Sequence, residues 1–305
     1  MAKPDRRPIT AAILPVAGLG TRVLPATKAI PKEMMPVVDK PVVQYVVEEA
    51  LAAGIERVVL VTGRGKGAIE DHFDHMFELE TALRAKGKDA ALEAAAGFVP
   101  EPGRIITTRQ QSPLGLGHAV WCARHAAGDG AVAVLLPDVI IRAPKGCLAQ
   151  MMEVYEEHGG NVVALEEVPW EVTFRYGIVA VGSRQGRTVE VTGMVEKPKA
   201  GEAPSNLSLV GRYILQPEVF EALERQEPGA GGEIQLTDAM ASLLGRQPFH
   251  GLVYEGRQFD CGDKAGYVEA QIAYGLDHPE IGDDVRRRLA ALLGNAGAER
   301  SRSVA

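Results

Sequence analysis

Charged side chains follow a glycine-rich turn near the start of the chain, in the stretch AGLGTRVLPATKAIPK. Gly18 and Gly20 carry no Cβ and can adopt positive φ, so a loop built on them can bring backbone N–H groups close to a ligand. Arg22, Lys28 and Lys32 add cations to the same stretch. A bare turn flanked by cations suits a polyphosphate, so the sequence predicts a triphosphate whose charge is bound by side chains.

Two familiar phosphate-binding motifs fit this stretch poorly. A dinucleotide fingerprint needs a glycine three residues after Gly20, where Val23 stands, and Pro25 interrupts the helix that should follow. The phosphate loop of NTPases needs a Gly-Lys-Ser/Thr sequence that this stretch lacks. Two alternatives stay open on the loop alone: a dinucleotide-dependent oxidoreductase, and a tight turn whose cations are merely solvated.

A carboxylate follows the most apolar predicted strand. Asp138 comes directly after AVAVLLP, residues 131–137. Ligands of open α/β sheets bind at the carboxyl ends of the strands, so Asp138 is expected at the ligand-binding edge. Mg²⁺ prefers a few carboxylates together with phosphate oxygens and water, which makes Asp138 the leading magnesium ligand. The alternative is that Asp138 caps a helix or a turn.

Short apolar runs that alternate with helical patterns must position these residues. The runs are nearly continuous, as expected of strands covered on both faces. The predicted strands are 11–17, 57–62, 104–109, 131–137 and 161–168, and the predicted helices are 41–54, 115–128 and 146–160. This order predicts a Rossmann-like three-layer α/β/α fold around a mostly parallel central sheet.

Later segments change character. YGIVAVGS and residues 187–198 alternate between apolar and polar residues, which predicts antiparallel strands added to the sheet. Residues 264–294 have a helical pattern, and residues 87–103 are weakly patterned, which indicates a surface excursion.

Composition argues against several kinds of partner. The 305 residues include 40 acidic and 33 basic side chains, and no basic patch that would attract nucleic acid or an anionic membrane surface is evident. The three cysteines are far apart, as in a reducing compartment. No apolar run approaches the roughly 20 residues that span a bilayer. We expect a cytoplasmic protein that binds neither nucleic acid nor membranes.

The order of several motifs over residues 9–278 resembles the sugar-1-phosphate nucleotidylyltransferase family, and in particular its bacterial uridylyltransferase branch. The opening loop and KEMMPVVDKPVVQYVVEEA carry the first part of the likeness. Further matching blocks are RQQSPLGLGHAV (109–120), LLPDVI (135–140), RYGIV (175–179), MVEKP (194–198), SNLSLVGRYIL (205–215), GEIQLTDAM (232–240) and FDCGDKAGY (259–267).

The resemblance implies a nucleotide-diphospho-sugar transferase fold and Mg²⁺-dependent transfer of UMP from UTP to glucose-1-phosphate. The products would be UDP-glucose and pyrophosphate, formed by direct in-line attack without a covalent intermediate. It also implies a homodimer or homotetramer. Thymidylyl transfer or a different sugar, and a non-catalytic sugar-nucleotide sensor, are the alternatives.

The resemblance also assigns roles to individual residues. The catalytic residues would be Arg22, Lys32, Asp138 and Lys197. The nucleotide would contact Ala17, Gly18, Gly20, Thr21, Glu33, Gln110 and Gly115. The sugar phosphate would contact Gly177, Glu196, Lys197 and Asn206. The metal would bind Asp138, with Asp260 as the second carboxylate, and whether Asp138 binds it alone stays open.

We expect one domain over residues 9–278. Its nucleotide-binding half is predicted at about 9–140 and its sugar-phosphate half at about 141–278, followed by a C-terminal helix and frayed tail over 279–305.

Other polar residues have plainer interpretations. The motif GRGKGA, residues 63–68, is interpreted as a turn with surface cations, and His72 and His75 as solvated side chains rather than zinc ligands. Asp263 is expected to pair with Lys264 or to add negative charge near the metal.

Overall fold

The computed structural model describes the backbone of residues 7–303 and the side chains of residues 7–294. The strands are β1 (Ile9–Pro15), β2 (Pro36–Val37), β3 (Lys40–Pro41), β4 (Arg57–Thr62), β5 (Ile105–Arg109), β6 (Ala131–Leu135), β7 (Val139–Arg142), β8 (Asn161–Glu167), β9 (Gly177–Gln185), β10 (Thr188–Glu196), β11 (Leu207–Leu215), β12 (Phe249–Val253) and β13 (Arg257–Asp260). The helices are α1 (Val42–Ala52), α2 (Gly67–His72), α3 (Phe77–Ala85), α4 (Asp89–Ala96), α5 (Leu116–Cys122), α6 (Arg124–Ala127), α7 (Cys147–His158), α8 (Glu218–Glu224), α9 (Leu236–Leu243), α10 (Lys264–Asp277) and α11 (Gly282–Ser303).

A mixed sheet of nine strands, in the order β5-β4-β1-β6-β11-β8-β12-β10-β9, forms the centre of the protein. The strands β5, β4, β1 and β6 are mutually parallel, and β8 is parallel to β12. The strand β11 is antiparallel to both β6 and β8, and β10 is antiparallel to both β12 and β9. In this sheet all strands except β10 and β11 therefore share one direction, which confirms the predicted mostly parallel sheet with added antiparallel strands.

Helices cover both faces of this sheet, and the strand β6 shows why its sequence is apolar throughout. All five residues of β6 are buried. Ala131, Ala133 and Leu135 pack into one core cluster with residues of α1 and α7. Val132 and Val134 point to the other face, into the cluster that includes α5 and α9. Because successive side chains of a strand face opposite sides, two covered faces require a continuous apolar run. The three-layer arrangement is thus confirmed.

The hairpin of β9 and β10 was predicted from its alternating pattern. Its strands pair through Thr188 and Gln185, so only Gly186 and Arg187 lie between them. Gly186 has a φ of +61°, a conformation that favours glycine in tight hairpin turns.

Three segments differ from the sequence predictions. Residues 89–96 form the exposed helix α4 within the predicted surface excursion. The single helix predicted over 115–128 is divided into α5 and α6 at Ala123. The helical pattern over 264–294 belongs to two helices, and the second one reaches Ser303. The tail predicted to fray thus falls partly within α11, and residues 304–305 lie outside the described part. No helix within residues 7–303 is both long enough and apolar enough to cross a membrane.

Candidate active site

Two carboxylates from distant parts of the chain meet at the carboxyl end of β6. Asp138 lies between β6 and β7, and β13 pairs with β7 so that Asp260 is opposite Val139. The backbone N–H of Cys261 donates to the carbonyl of Asp138 at 2.8 Å, which locks the two segments together. The structure therefore brings together the two residues predicted as metal ligands.

Gly262 allows the two carboxylates to approach each other. Its N–H donates to Oδ1 of Asp260 at 2.9 Å. A Cβ added to Gly262 would lie 2.5 Å from Oδ2 of Asp138 and 3.0 Å from Oδ1 of Asp260. A side chain at this position would occupy the space between the carboxylates, so glycine keeps that space open.

The cations of the opening loop reach the same carboxylates. Nζ of Lys32 lies 2.5 Å from Oδ2 of Asp138. The Arg22 guanidinium lies 3.6 Å from Asp138 and 3.3 Å from Asp260. The Lys32 side chain is 15% exposed, whereas that of Arg22 is 59% exposed. Lys32 is thus held in place, and Arg22 remains available to a ligand from solvent.

The pKa values of the two aspartates shift in opposite directions. Burial alone would favour the neutral acid of Asp138, but the Lys32 ammonium and the Arg22 guanidinium lower the pKa of its carboxyl. Burial raises the pKa of Asp260, and the Asp138 carboxylate beside it raises that pKa further. Two neighbouring anions in a partly buried site repel each other, and a bound cation would relieve that repulsion.

This pair of carboxylates fits Mg²⁺ chemically. Both are hard oxygen donors, and within the described residues no third His, Cys, Asp or Glu completes a cluster around them. Mg²⁺ is commonly bound through one or two carboxylates, with substrate phosphates and water as the other ligands. Asp138 and Asp260 are the residues that would hold it.

The opening loop is built from three short 3-10 turns, Thr21–Val23, Ala26–Lys28 and Lys32–Met34, rather than from a helix. Gly20 has a φ of +67°, and its carbonyl accepts a hydrogen bond from Oγ1 of Thr27 at 2.7 Å. A Cβ on Gly20 would lie 3.0 Å from the Thr27 methyl carbon and 3.2 Å from Cβ of Lys32. The loop therefore closes tightly on itself. In other phosphate sites the positive end of a helix dipole attracts the phosphate, whereas here the cations of the loop supply the positive charge.

The residues predicted to bind the base lie at a second corner of the site. Nε2 of Gln110 donates to the carbonyl of Gly115 at 3.0 Å and lies 3.0 Å from Nδ1 of His118. Gly115 has a φ of +110°, and a Cβ there would lie 2.8 Å from the carbonyl of Ile234. Arg64, Arg109, Gln110 and Gln111 line an open cavity here. Burial lowers the pKa of His118, which favours a neutral ring beside Gln110.

The residues predicted to bind the sugar phosphate meet at the end of the β9–β10 hairpin. Gly177 is the strand partner of Glu196, and a Cβ on Gly177 would lie 3.0 Å from Oε2 of Glu196. That oxygen also accepts a hydrogen bond from Oγ1 of Thr237 at 2.8 Å. Lys197 has a φ of +46°, and its Nζ lies 3.7 Å from Oε1 of Glu196. The chain therefore bends at Lys197, and both charged groups lie on one side.

Asn206, placed at the pocket rim by the sequence, directly precedes β11 and is half-buried. Its carbonyl accepts a hydrogen bond from the N–H of Val168 at 2.9 Å, so its backbone ties β11 to the end of β8.

The motif GRGKGA differs from its predicted role as a turn with surface cations. Arg64 is exposed, but Lys66 is only 6% exposed and pairs with Glu33, with Nζ 2.8 Å from Oε2. Glu33 is fully buried, and its partner in the structure is Lys66. The predicted contact of Glu33 with the base stays a prediction. No local pattern distinguishes Lys66 from a surface lysine, because its burial depends on contact with a segment about thirty residues earlier in the sequence.

Three further polar residues have partners within the protein. Asp263 caps α10 by accepting from the N–H of Gly266 at 3.4 Å, instead of pairing with Lys264. Nε2 of His72 lies 2.8 Å from Oε1 of Gln44. Nδ1 of His75 lies 3.0 Å from Oε1 of Glu80.

Known proteins are similar to this chain in sequence and architecture. The family model described as Nucleotidyl transferase matches residues 11–275. A UTP–glucose-1-phosphate uridylyltransferase from Komagataeibacter xylinus is 51% identical over 258 residues, which cover 85% of this chain and 91% of the relative. A UTP-bound UGPase from Acinetobacter baumannii superposes with a TM-score of 0.86 at 45% identity, covering 92% of this chain and 99% of that one.

A second solved structure, a UDP-glucose pyrophosphorylase complexed with UDP-glucose, superposes with a TM-score of 0.80. It is 40% identical, and the match covers 87% of this chain and 98% of that chain. The family model extends over both the opening loop and the carboxylate pair. The chain therefore belongs to the nucleotidyl transferase family.

Proposed function

We propose that this protein is a UTP–glucose-1-phosphate uridylyltransferase, which transfers UMP from UTP to glucose-1-phosphate in a Mg²⁺-dependent reaction. The observation that carries the proposal is the contact of Lys32 with Asp138 at 2.5 Å, which unites the cationic loop with a carboxylate at the ligand-binding edge. The relatives named above bear the same activity in their names, and two solved neighbours bind UTP or UDP-glucose.

The triphosphate of UTP binds over the opening loop. Backbone N–H groups around Gly18 and Gly20 approach the phosphates, since no Cβ stands in the way. Arg22 and Lys32 offset the phosphate charge, and Asp138 and Asp260 would hold the metal. Bound Mg²⁺ supplies further neutralisation of charge on the phosphate oxygens. Catalysis then rests on positioning and electrostatics, as in other phosphoryl transfers.

The uracil ring binds against Ala17 and Gln110. Nε2 of Gln110 contacts both the carbonyl of Gly115 and Nδ1 of His118, and its Oε1 is the acceptor that remains for the imide N–H of uracil. Gly115 keeps the nearby backbone free of a side chain.

The sugar phosphate binds between Gly177, Glu196 and Lys197. The Glu196 carboxylate accepts hydrogen bonds from sugar hydroxyls, and Thr237 fixes one of its oxygens. The Lys197 ammonium attracts the phosphate, whose oxygen attacks the α-phosphorus of UTP. A new P–O bond forms, the bond from the α-phosphorus to the bridging oxygen breaks, and pyrophosphate leaves with its electrons. No protein nucleophile is needed.

The two predicted halves of the domain divide the residues proposed to bind UTP from those proposed to bind the sugar phosphate. The loop, Gln110 and Asp138 lie in residues 9–140, and the sugar-binding residues lie in 141–278. The central sheet runs through both halves, which supports a single domain.

The assembly and the location follow the same proposal. Val268, Ile272 and Ile281 expose apolar side chains on and after α10, which supports a homodimer or homotetramer. A cytoplasmic location is consistent with the three cysteines, all of which are free.

A direct assay tests the activity. Purified protein with UTP, glucose-1-phosphate and MgCl₂ should release pyrophosphate and form UDP-glucose, and excess EDTA should stop both. Competition of UTP against dTTP tests the base preference. Binding of UDP-glucose without any turnover would instead indicate a non-catalytic sensor, and a protein that binds neither substrate would overturn the proposal.

A further inference from the structure

Lys66 is a buried cation that lies behind the opening loop, outside the set of residues assigned above to the ligands. Its Nζ donates to Oε2 of Glu33 at 2.8 Å and to the carbonyl of Gly18 at 2.7 Å. The Lys66 side chain is 7% exposed and that of Glu33 is 0% exposed. One ammonium thus joins a residue of the glycine turn to a residue of the third 3-10 turn.

The segment that carries Lys66 packs against the same part of the loop through a glycine. A Cβ on Gly63 would lie 3.3 Å from the carbonyl oxygen of Ala17 and 3.4 Å from its Cα. The carbonyl of Gly63 accepts a hydrogen bond from the Arg109 guanidinium at 3.1 Å, which fixes the segment from the other side. Residues 63–66 therefore form a support behind Ala17 and Gly18.

This support extends to the catalytic cation. Glu33 follows Lys32 in the same 3-10 turn. A Cβ on Gly18 would lie 3.6 Å from Cε of Lys32, so the glycine turn and the Lys32 side chain are in direct contact. Lys32 in turn pairs with Asp138. The Lys66–Glu33 pair thus connects the phosphate-binding backbone to the turn that presents Lys32.

A buried ion pair is weak evidence for stability, because the loss of hydration of both ions can exceed their attraction. Oε1 of Glu33 is also buried without a hydrogen-bond partner. An apolar pair would fill this space without burying an unpaired side-chain oxygen. What an apolar pair would not supply is the donor to the Gly18 carbonyl, which fixes the orientation of the Gly18–Leu19 peptide.

We propose that Lys66 is a positioning residue for the nucleotide: together with Glu33 it holds the Gly18 backbone and the Lys32 turn in the arrangement that receives the triphosphate. The inference rests on the proposed function. Lys66 contacts Gly18 and Glu33 rather than the nucleotide, so it acts through Gly18 and Lys32. Its loss should weaken UTP binding and leave the glucose-1-phosphate site unchanged.

The test compares the double variant Lys66→Met/Glu33→Gln, which removes both charges, with wild type. A matched control is Lys145→Met/Glu153→Gln, which removes an exposed lysine–glutamate pair. Calorimetry measures the Kd for UTP, and kinetics at saturating UTP give the KM for glucose-1-phosphate. We expect the Kd for UTP to rise about tenfold in the double variant, which corresponds to about 1.4 kcal/mol. The KM for glucose-1-phosphate should stay within about twofold, and the control should match wild type.

A second variant keeps the proposal testable if the double variant does not fold. Gly63→Ala retains the ion pair but adds a methyl group close to the Ala17 carbonyl, which should shift the support and weaken UTP binding severalfold. A folded Lys66→Met/Glu33→Gln or Gly63→Ala variant that binds UTP as tightly as wild type would overturn the positioning role. Wild-type protein that binds no UTP would instead overturn the proposed function, so the two failures are distinguishable.

Discussion

Nζ of Lys32 lies 2.5 Å from Oδ2 of Asp138, so the cationic end of the opening loop and the carboxylate at the end of β6 form one ion pair. This contact holds both groups in their charged forms. Burial opposes the charge of Lys32, but Asp138 raises the pKa of its ammonium, while Lys32 lowers the pKa of Asp138. The loop proposed to bind phosphate and the residue proposed to bind the metal are thereby placed together before a substrate arrives.

Asp138→Asn should abolish nearly all turnover while the protein stays folded. The amide is similar in size but carries no charge, so the metal loses its principal ligand and Lys32 loses its partner. We expect kcat to fall about 10²- to 10³-fold, the range for removal of one group that stabilises charge in the transition state. The measurement is steady-state kinetics across a magnesium titration, with circular dichroism to check the fold. Wild-type activity across the whole magnesium titration would reject Asp138 as the principal ligand.

Asp260→Asn distinguishes a two-carboxylate site from a site that depends on Asp138 alone. If Asp260 binds the metal, the Mg²⁺ concentration for half-maximal activity should rise about tenfold, with activity restored at high magnesium. Asp263→Asn serves as a neighbouring control, because that carboxylate caps α10. An unchanged magnesium dependence in Asp260→Asn would assign the metal to Asp138 alone.

Lys197→Ala should weaken the use of glucose-1-phosphate. Loss of a charged hydrogen bond to the phosphate is worth about 1.5–3 kcal/mol, so KM for glucose-1-phosphate should rise about 10- to 100-fold. The Kd for UTP should change little, because Lys197 lies on the sugar side. The exposed Lys199→Ala is the matched control two residues away. Equal kinetics for both variants would remove Lys197 from the sugar-phosphate site.

His250 should make the stability of the protein depend on pH. Burial and the neighbouring His158, whose ring stacks on it at 4.8 Å, lower the pKa of His250, although Glu190 opposes this. The unfolded chain, with a histidine pKa of about 6.5, then binds a proton more readily than the folded protein. The contribution of neutral His250 to stability is therefore fully present above the unfolded-state pKa of about 6.5. It is lost as the pH falls below that pKa toward the lower pKa of the folded protein.

Thermal melts measure this effect. Between about pH 7.5 and 5.5 the Tm of wild type should fall more steeply than that of His250→Gln, by about 1–3 °C. His125→Gln, at an exposed histidine, should retain the wild-type slope. Parallel curves for wild type and His250→Gln would contradict the prediction.

Much of the fold was predictable because its signals are local. The continuous apolar run of β6 reflects two covered faces, and the alternating runs of β9 and β10 reflect a hairpin. By contrast, β11 lies in the middle of the sheet and reverses its direction between β6 and β8. The position of β11 depends on pairing between strands that are far apart in the chain, and the local pattern of apolar and polar residues does not specify which strands pair.

The sequence by itself determined the bare glycine turn, its cations, and a carboxylate at the end of the most apolar strand, because backbone freedom and strand patterns are properties of short segments. Only the tertiary structure decided which charges meet. Asp260 reaches Asp138 through the pairing of β13 with β7, and Lys66 reaches Glu33 and Gly18 through packing behind the loop. The sequence does not distinguish a buried lysine from a solvated one, because only the surrounding fold determines whether water reaches the ammonium.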